Sequence, residues 1–236
     1  MATDLAARLH AVLARIHAAE QRFQRSPGSV RLLAVSKTQS PAAIAAVAAA
    51  GQTRFGENYL QETLDKMTDL TALDLEWHFI GPIQTNKTRL IAERFAWVHS
   101  VDRPKIAERL SAQRPDHSPP LNVCLQVNIS REPNKHGLDE SEVPAVARAV
   151  AALPRLRLRG LMAIPAPEPE FAAQRKPFAR LRALQEYLIA DGLKLDTLSM
   201  GMSDDLEAAI AEGATLVRIG TAIFGSRTRT PGLQYA

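Results

Sequence analysis

Cysteine occurs once, at Cys124, so no internal disulfide closes this fold. Its setting in the apolar run 121–129 marks it as a buried, inert thiol. The six histidines and this cysteine fall at no metal-ligand spacing, which argues against a metal site. Aromatic residues make up only 5% of the chain and do not interleave with basic ones. The 22 arginines and seven lysines are dispersed among Glu and Asp, and the net charge is +4. Without a dense basic block, no nucleic-acid partner is expected. No apolar run approaches the ~20 residues of a membrane span. The start, Met1-Ala2-Thr3-Asp4, has neither a basic nor an apolar leader region. These absences predict a cytoplasmic protein with no membrane partner. No Gly-x-Gly-x-x-Gly follows the first strand, which disfavours a dinucleotide site.

What the sequence does contain is strand–helix alternation. Residues 4–25 read as an amphipathic helix, with Leu5, Leu9, Val12, Leu13, Ile16 and Phe23 on or near one face. After Pro27-Gly28, apolar strands are expected at 31–37, 53–58, 75–81, 97–101, 121–129, 156–164, 197–200 and 216–224. Helices are expected at 41–51, 60–70, 87–95, 104–113, from Asp139 onward, at 171–190 and at 204–212. Ser40 is the expected N-cap of the first of these, with Pro41 at its first position. Asp139 and Glu142 form a capping-box pattern, and Ser203 is the expected cap of the last helix. Eight strands, seven followed by helices, predict a parallel α/β sheet closed as a (β/α)8 TIM barrel. The N-terminal helix would stand in for the missing eighth. An open doubly wound sheet is the competing architecture. The whole chain, 1–236, is expected to be a single domain, because no linker interrupts the alternation.

In such a barrel, chemistry collects at the C-terminal ends of the strands. The first strand delivers Lys37 there, beside a helix start, where desolvation would free a nucleophilic amine for Schiff-base chemistry. The loops after strands seven and eight are a common phosphate site. Ser199, Gly220 and Thr221 are the expected phosphate ligands. Arg218 lies within the apolar strand Leu216-Val217-Arg218-Ile219, so its charge must be paired or must face the barrel mouth. An imine-forming lysine, a phosphate cradle and a buried arginine describe pyridoxal 5′-phosphate (PLP). Its aldehyde would meet Lys37, its phosphate Gly220 and Thr221, and its ring nitrogen Arg218. His78, between Trp77 and Phe79, reads as a core histidine, and Glu57 as support for the barrel wall.

Several blocks carry a resemblance. They are Leu33-Ala34-Val35-Ser36-Lys37, Phe55-Gly56-Glu57-Asn58-Tyr59, Trp77-His78-Phe79-Ile80-Gly81-Pro82-Ile83-Gln84-Thr85-Asn86-Lys87, Gly160-Leu161-Met162, Leu198-Ser199-Met200-Gly201-Met202-Ser203-Asp204-Asp205 and Val217-Arg218-Ile219-Gly220-Thr221-Ala222-Ile223-Phe224-Gly225. In order along nearly the whole chain, these resemble the pyridoxal phosphate homeostasis protein family. The resemblance implies a barrel similar to that of alanine racemase, PLP on Lys37, and Asn58 flanking the ring. It implies a role as carrier or regulator of vitamin B6, without established catalysis, for which apo PLP-dependent enzymes are the expected partners. The alternative is a PLP-dependent racemase-like enzyme. Against it, the resemblance places alanine racemase's second base, a tyrosine, outside the barrel. Here Tyr187 lies in a helix and Tyr235 in the tail, leaving Tyr59 near the mouth. An aldolase-like Schiff-base enzyme and a ligand-free interaction protein are the further alternatives. Lys135 falls on the same rim, and a monomer is expected.

Overall fold

The computed structural model describes residues 2–133 and 135–225. It opens with α1 (Ala2–Arg22), followed by β1 (Arg31–Val35), α2 (Pro41–Ala49), β2 (Arg54–Glu57), α3 (Leu60–Asp69) and β3 (Glu76–Phe79). Next come a short 3-10 turn (Thr85–Lys87), α4 (Thr88–Arg94), β4 (Trp97–Val101), α5 (Pro104–Gln113), β5 (Leu121–Val127) and α6 (Val143–Ala151). The chain continues through β6 (Leu156–Ala163), α7 (Phe171–Ala190), β7 (Thr197–Ser199), α8 (Leu206–Ala211), β8 (Leu216–Ile219) and α9 (Thr221–Phe224). All eight strands are parallel, and β8 pairs back onto β1 to close the barrel. The closed sheet excludes the open doubly wound alternative.

The expected elements are all present, with β4 at its expected bounds and the other seven strands shorter. The largest difference is at β8, where the apolar run to Phe224 is not one strand. The backbone turns helical at Thr221, so Ala222, Ile223 and Phe224 belong to α9. Ile223 is buried there as a helical residue. The eighth position therefore has a helix of its own, one turn long. The cap at Ser40 forms as expected, its hydroxyl accepting from the Ala43 amide at 3.2 Å. Glu142 accepts the Asp139 amide at 2.9 Å, but the helix proper begins only at Val143.

Two apolar regions hold the barrel. The larger lies between strands and helices, and includes Phe55, Ile91, Phe95, Leu110, Leu125, Phe178 and Ile210. The second is inside the ring, where Trp97, Cys124 and Met162 pack together. β6 and β7 approach so closely at Gly160 that a Cβ there would sit 1.8 Å from the Thr197 carbonyl oxygen.

α1 buries Leu9, Val12, Ile16 and Ala19, the i, i+3, i+4 stripe of an amphipathic helix, and packs on α2, α8 and α9. Leu13 instead faces outward. One carboxylate fixes the end of α1 to the start of β1. Buried Glu20 accepts from the Gly28 amide (3.0 Å), the Val30 amide (2.8 Å) and the Ser29 hydroxyl (3.3 Å). Glu20→Ala would leave the two amides without acceptors. Charge-assisted bonds of this kind lead us to expect a loss of about 3 kcal/mol in urea unfolding, with little change in m. A loss below ~0.5 kcal/mol would show that water replaces the carboxylate.

Candidate functional site at the C-terminal mouth of the barrel

Lys37 stands two residues beyond β1, half-buried, in a loop whose backbone is fixed on both sides. The Ser36 amide continues the ladder by donating to the Gly56 carbonyl at 3.0 Å. The Ser36 hydroxyl donates to Glu57 Oε1 at 2.6 Å. Lys66 Nζ, buried on α3, donates to the Ser36 carbonyl at 2.8 Å and to Glu57 Oε1 at 2.7 Å. Lys66 also pairs with Glu62, which accepts the Thr38 amide at 2.6 Å. Thr38 is held at φ +65°, a left-handed conformation that is costly for a β-branched residue. The residues before and after Lys37 are thus tied to one buried ion cluster, and the sequence reading of Glu57 as wall support fits that place. Burial raises the Glu57 pKa, while Lys66 and Ser36 pull it back.

β8 supplies Arg218, 4% exposed. Its Nη1 donates to the Ser199 carbonyl (2.5 Å) and hydroxyl oxygen (2.9 Å), and its Nη2 donates to the Ala163 carbonyl (2.9 Å). Among the described residues, these three bonds leave two of the five guanidinium N–H donors. Burial lowers the Arg218 pKa to about 10, with Asp205 opposing the shift, so the group stays charged at neutral pH. The charge sits inside the ring, satisfied by two carbonyls and a hydroxyl, with no carboxylate in salt-bridge contact among the described residues.

The expected role of Ser199 as a phosphate ligand does not fit this geometry. Its fully buried hydroxyl takes a bond from Arg218 and lies 2.8 Å from His99 Nδ1. The expected cap role of Ser203 is also corrected. α8 begins at Leu206, Asp205 occupies the cap position, and Asp205 Oδ1 accepts the Met202 amide at 2.6 Å. The Ser203 hydroxyl makes no hydrogen bond among the described residues. The Gly201 carbonyl takes the Arg218 amide at 2.9 Å, so the loop carrying Ser203 runs alongside the end of β8.

Gly220 and Thr221 follow β8 directly, next to β1 in the closed ring. A Cβ at Gly220 would lie 3.2 Å from the Val35 carbonyl oxygen, so glycine keeps this backbone against the strand that leads to Lys37. Thr221 is exposed at the first position of α9, ahead of the first intrahelical bonds, which the Ile223 and Phe224 amides donate to the Gly220 carbonyl. Asn58 follows β2, and its Oδ1 is buried without a hydrogen-bond partner. It lines a cavity of about 270 Å³ with Ile80, Pro82, Gln126, Asn128 and Lys135. Gly81 allows that wall to close, since a Cβ there would be 2.3 Å from the Asn58 carbonyl oxygen. Lys135 pairs with Glu132 at 2.7 Å on the rim. Cys124 is buried and its thiol is pushed up to about 12 by desolvation, which makes it inert as expected. Tyr235 lies outside the described residues.

Below the mouth runs a polar chain through His78, which the sequence reading took as a core histidine, to Ser199, which it took as a phosphate ligand. His78 Nδ1 lies 2.9 Å from His99 Nε2, and His78 Nε2 lies 2.9 Å from Glu76 Oε1. Both rings are fully buried, and Trp97 stacks on His78 at 5.4 Å. The available signal was register: His78 is paired with Trp97, so His99 follows one inward-facing position on.

Residues 8–228 match the family described as alanine racemase, N-terminal domain, which defines the class of barrel. The pyridoxal phosphate homeostasis protein of Pseudomonas aeruginosa is 63% identical over 225 residues, covering 95% of this chain and 96% of that one. The Escherichia coli K12 protein of the same name is 54% identical, covering 95% and 97%. The chain belongs to the pyridoxal phosphate homeostasis protein family. Among solved structures, PipY of Synechococcus elongatus PCC7942 with PLP bound is 39% identical at a TM-score of 0.83, covering 94% of this chain and 100% of that one. Alanine racemase from Corynebacterium glutamicum shares the fold at 20% identity and a TM-score of 0.71, covering 96% and 64%.

Burial lowers the pKa of His78 and, further, that of His99, where His78 and Arg218 add repulsion. Folded, both rings resist protonation; unfolded, they titrate at the ordinary 6.5. Stability is therefore full above that value and lost as pH falls through it. Each ring contributes up to about 1.4 kcal/mol per pH unit. The urea midpoint is expected to drop between about pH 7 and 5, and His99→Gln to flatten the drop. An unchanged slope in His99→Gln would contradict the assignment.

Proposed function

We propose that this protein binds PLP at the C-terminal mouth of its barrel and serves vitamin B6 homeostasis as a carrier or regulator, not as a catalyst. The observation that carries the reading is Arg218, a buried cation with N–H donors to spare among the described residues, on the strand next to the one that leads to Lys37. The PLP-bound relative PipY supports it by its overall likeness.

The residues fit the group. Lys37 would hold the aldehyde as a Schiff base. Arg218 would meet the ring nitrogen with its remaining N–H donors, and Asn58, whose buried oxygen has no hydrogen-bond partner among the described residues, would flank the ring. Gly220 and Thr221 bind the phosphate through amides and a hydroxyl, in the loop position where barrels commonly hold phosphate. Ser203, free of a capping bond, takes the place first read for Ser199. When bound, PLP supplies an electrophilic carbonyl and an electron-withdrawing ring. A permanently charged arginine keeps the ring nitrogen unprotonated, which weakens the ring as an electron sink.

Inversion at an α-carbon also needs a second acid–base group. Tyr187 is on α7 and half exposed, and Tyr59 beside Asn58 is the tyrosine at the mouth among the described residues. We read residues 1–236 as one PLP-binding domain, monomeric and cytoplasmic, with apo PLP-dependent enzymes as the receiving partners. No helix among the described residues is long and apolar enough to cross a membrane, and neither a membrane nor a nucleic acid belongs to the proposed role.

Purified protein loaded with PLP is expected to be yellow and to gain one borohydride-fixed adduct on Lys37. Lys37→Ala is expected to abolish that adduct, and an adduct that persists elsewhere would overturn the assignment. Ser203→Ala and Thr221→Ala should each weaken PLP binding about tenfold, as expected for one hydrogen bond to a charged ligand. Unchanged affinity in both would move the phosphate elsewhere. Transfer of PLP to an apo-enzyme supports the carrier, whereas racemisation at ~10 s⁻¹ would favour the racemase-like alternative.

A further inference from the structure

Four side chains outside the cofactor mouth form a continuous hydrogen-bonded line through the barrel interior to Arg218. Glu76, at the start of β3 and partly exposed, touches His78; His78 touches His99; His99 touches Ser199; Ser199 takes a bond from Arg218. Three of these residues are fully buried, and they come from β3, β4 and β7. The interior of a barrel of this kind is ordinarily filled with branched apolar side chains. A polar line there costs stability unless every member is satisfied.

The two ends dictate its direction. Arg218 can only donate, so Ser199 Oγ accepts at that end. An ionised Glu76 can only accept, so His78 must carry its proton on Nε2. Its Nδ1 is then an acceptor, and His99 must donate to it from Nε2. His99 Nδ1 is in turn an acceptor, and the one remaining proton in the line, that of Ser199, is directed to it. Each neutral ring has a single allowed tautomer. Burial holds both rings neutral, outweighing the pull of Glu76 on His78, and Arg31 and Arg54 around His78, with His78, Arg218 and Arg31 around His99, add to it. Glu76 is kept ionised by His78, Arg54 and Arg31. Trp97 fixes the plane of His78, and Arg159 and Arg31 cover the Trp97 ring at 4.8 and 5.5 Å.

We propose that Ser199, His99 and His78 are positioning residues: a one-way hydrogen-bond line, anchored at Glu76, that turns Arg218 so its remaining N–H donors face the cofactor's ring nitrogen. This rests on the reading of Arg218 above. The line polarises the Ser199 oxygen toward the guanidinium and denies that hydroxyl to any phosphate. It also leaves no spare proton within reach of the ring nitrogen, which is what a carrier requires and a racemase does not.

The first test needs no cofactor. Long-range 15N–1H NMR of the protein at neutral pH should report both His78 and His99 as neutral with the proton on Nε2. An Nδ1–H tautomer or an imidazolium at either ring overturns the line. The second test compares PLP with 1-deazapyridoxal phosphate, which lacks the ring nitrogen. The wild-type protein should prefer PLP about tenfold, Ser199→Ala about threefold or less, and Ser199→Thr should restore the preference. If Ser199→Ala weakens both ligands equally, or changes only thermal stability, the residue is structural and the proposal fails. If the wild-type protein binds neither ligand at Lys37, the functional reading itself has failed, a result the borohydride adduct distinguishes.

Discussion

A guanidinium inside a closed ring of strands is the constraint from which the rest of this structure follows. Arg218 keeps its proton at neutral pH, and no carboxylate among the described residues sits in salt-bridge contact with it. Its charge is met by the Ala163 and Ser199 carbonyls and the Ser199 hydroxyl. Removing a partner from such a buried charge costs more than a neutral bond would. Neighbouring strands β6, β7 and β8 must therefore hold register to keep those oxygens in place. Gly160 permits it, since any side chain there would collide with the Thr197 carbonyl and separate β6 from β7.

A second buried charge cluster, on the other flank of β1, serves the lysine. Glu57, Lys66 and Glu62 fix the Ser36 carbonyl, the Ser36 hydroxyl and the Thr38 amide, so the chain on either side of Lys37 has little freedom. The two clusters do different work. One sets where an amine emerges, the other sets the electrostatics beside it, from the neighbouring strand β8. The ladder between β1 and β8, with Ala34 opposite Ile219, keeps the distance between them constant.

Much of this was legible in the sequence. Eight apolar segments with intervening helices gave the barrel, and a charge within Leu216-Val217-Arg218-Ile219 had to be structural or functional. The long motifs gave the family. The strand ends were legible less well, because apolar character continues from Ile219 through Ala222, Ile223 and Phe224 while the backbone changes from extended to helical at Gly220. The surroundings of the two serines were not legible, for a non-local reason. Whether a hydroxyl is available depends on its partners, and Ser199 meets His99, 100 positions earlier in the chain. Ser203 looked like a cap from its neighbours, but Asp205 holds the turn instead. Lys66 gave no signal either, being one charged residue on an amphipathic helix until the fold turned it inward.

The central claim is electrostatic: Arg218 keeps the ring nitrogen of bound PLP without a proton. The direct measurement is the 15N chemical shift of PLP labelled at that nitrogen and bound to the intact protein at neutral pH. The account predicts a shift in the range of an unprotonated pyridine accepting a hydrogen bond. A shift in the pyridinium range would contradict it.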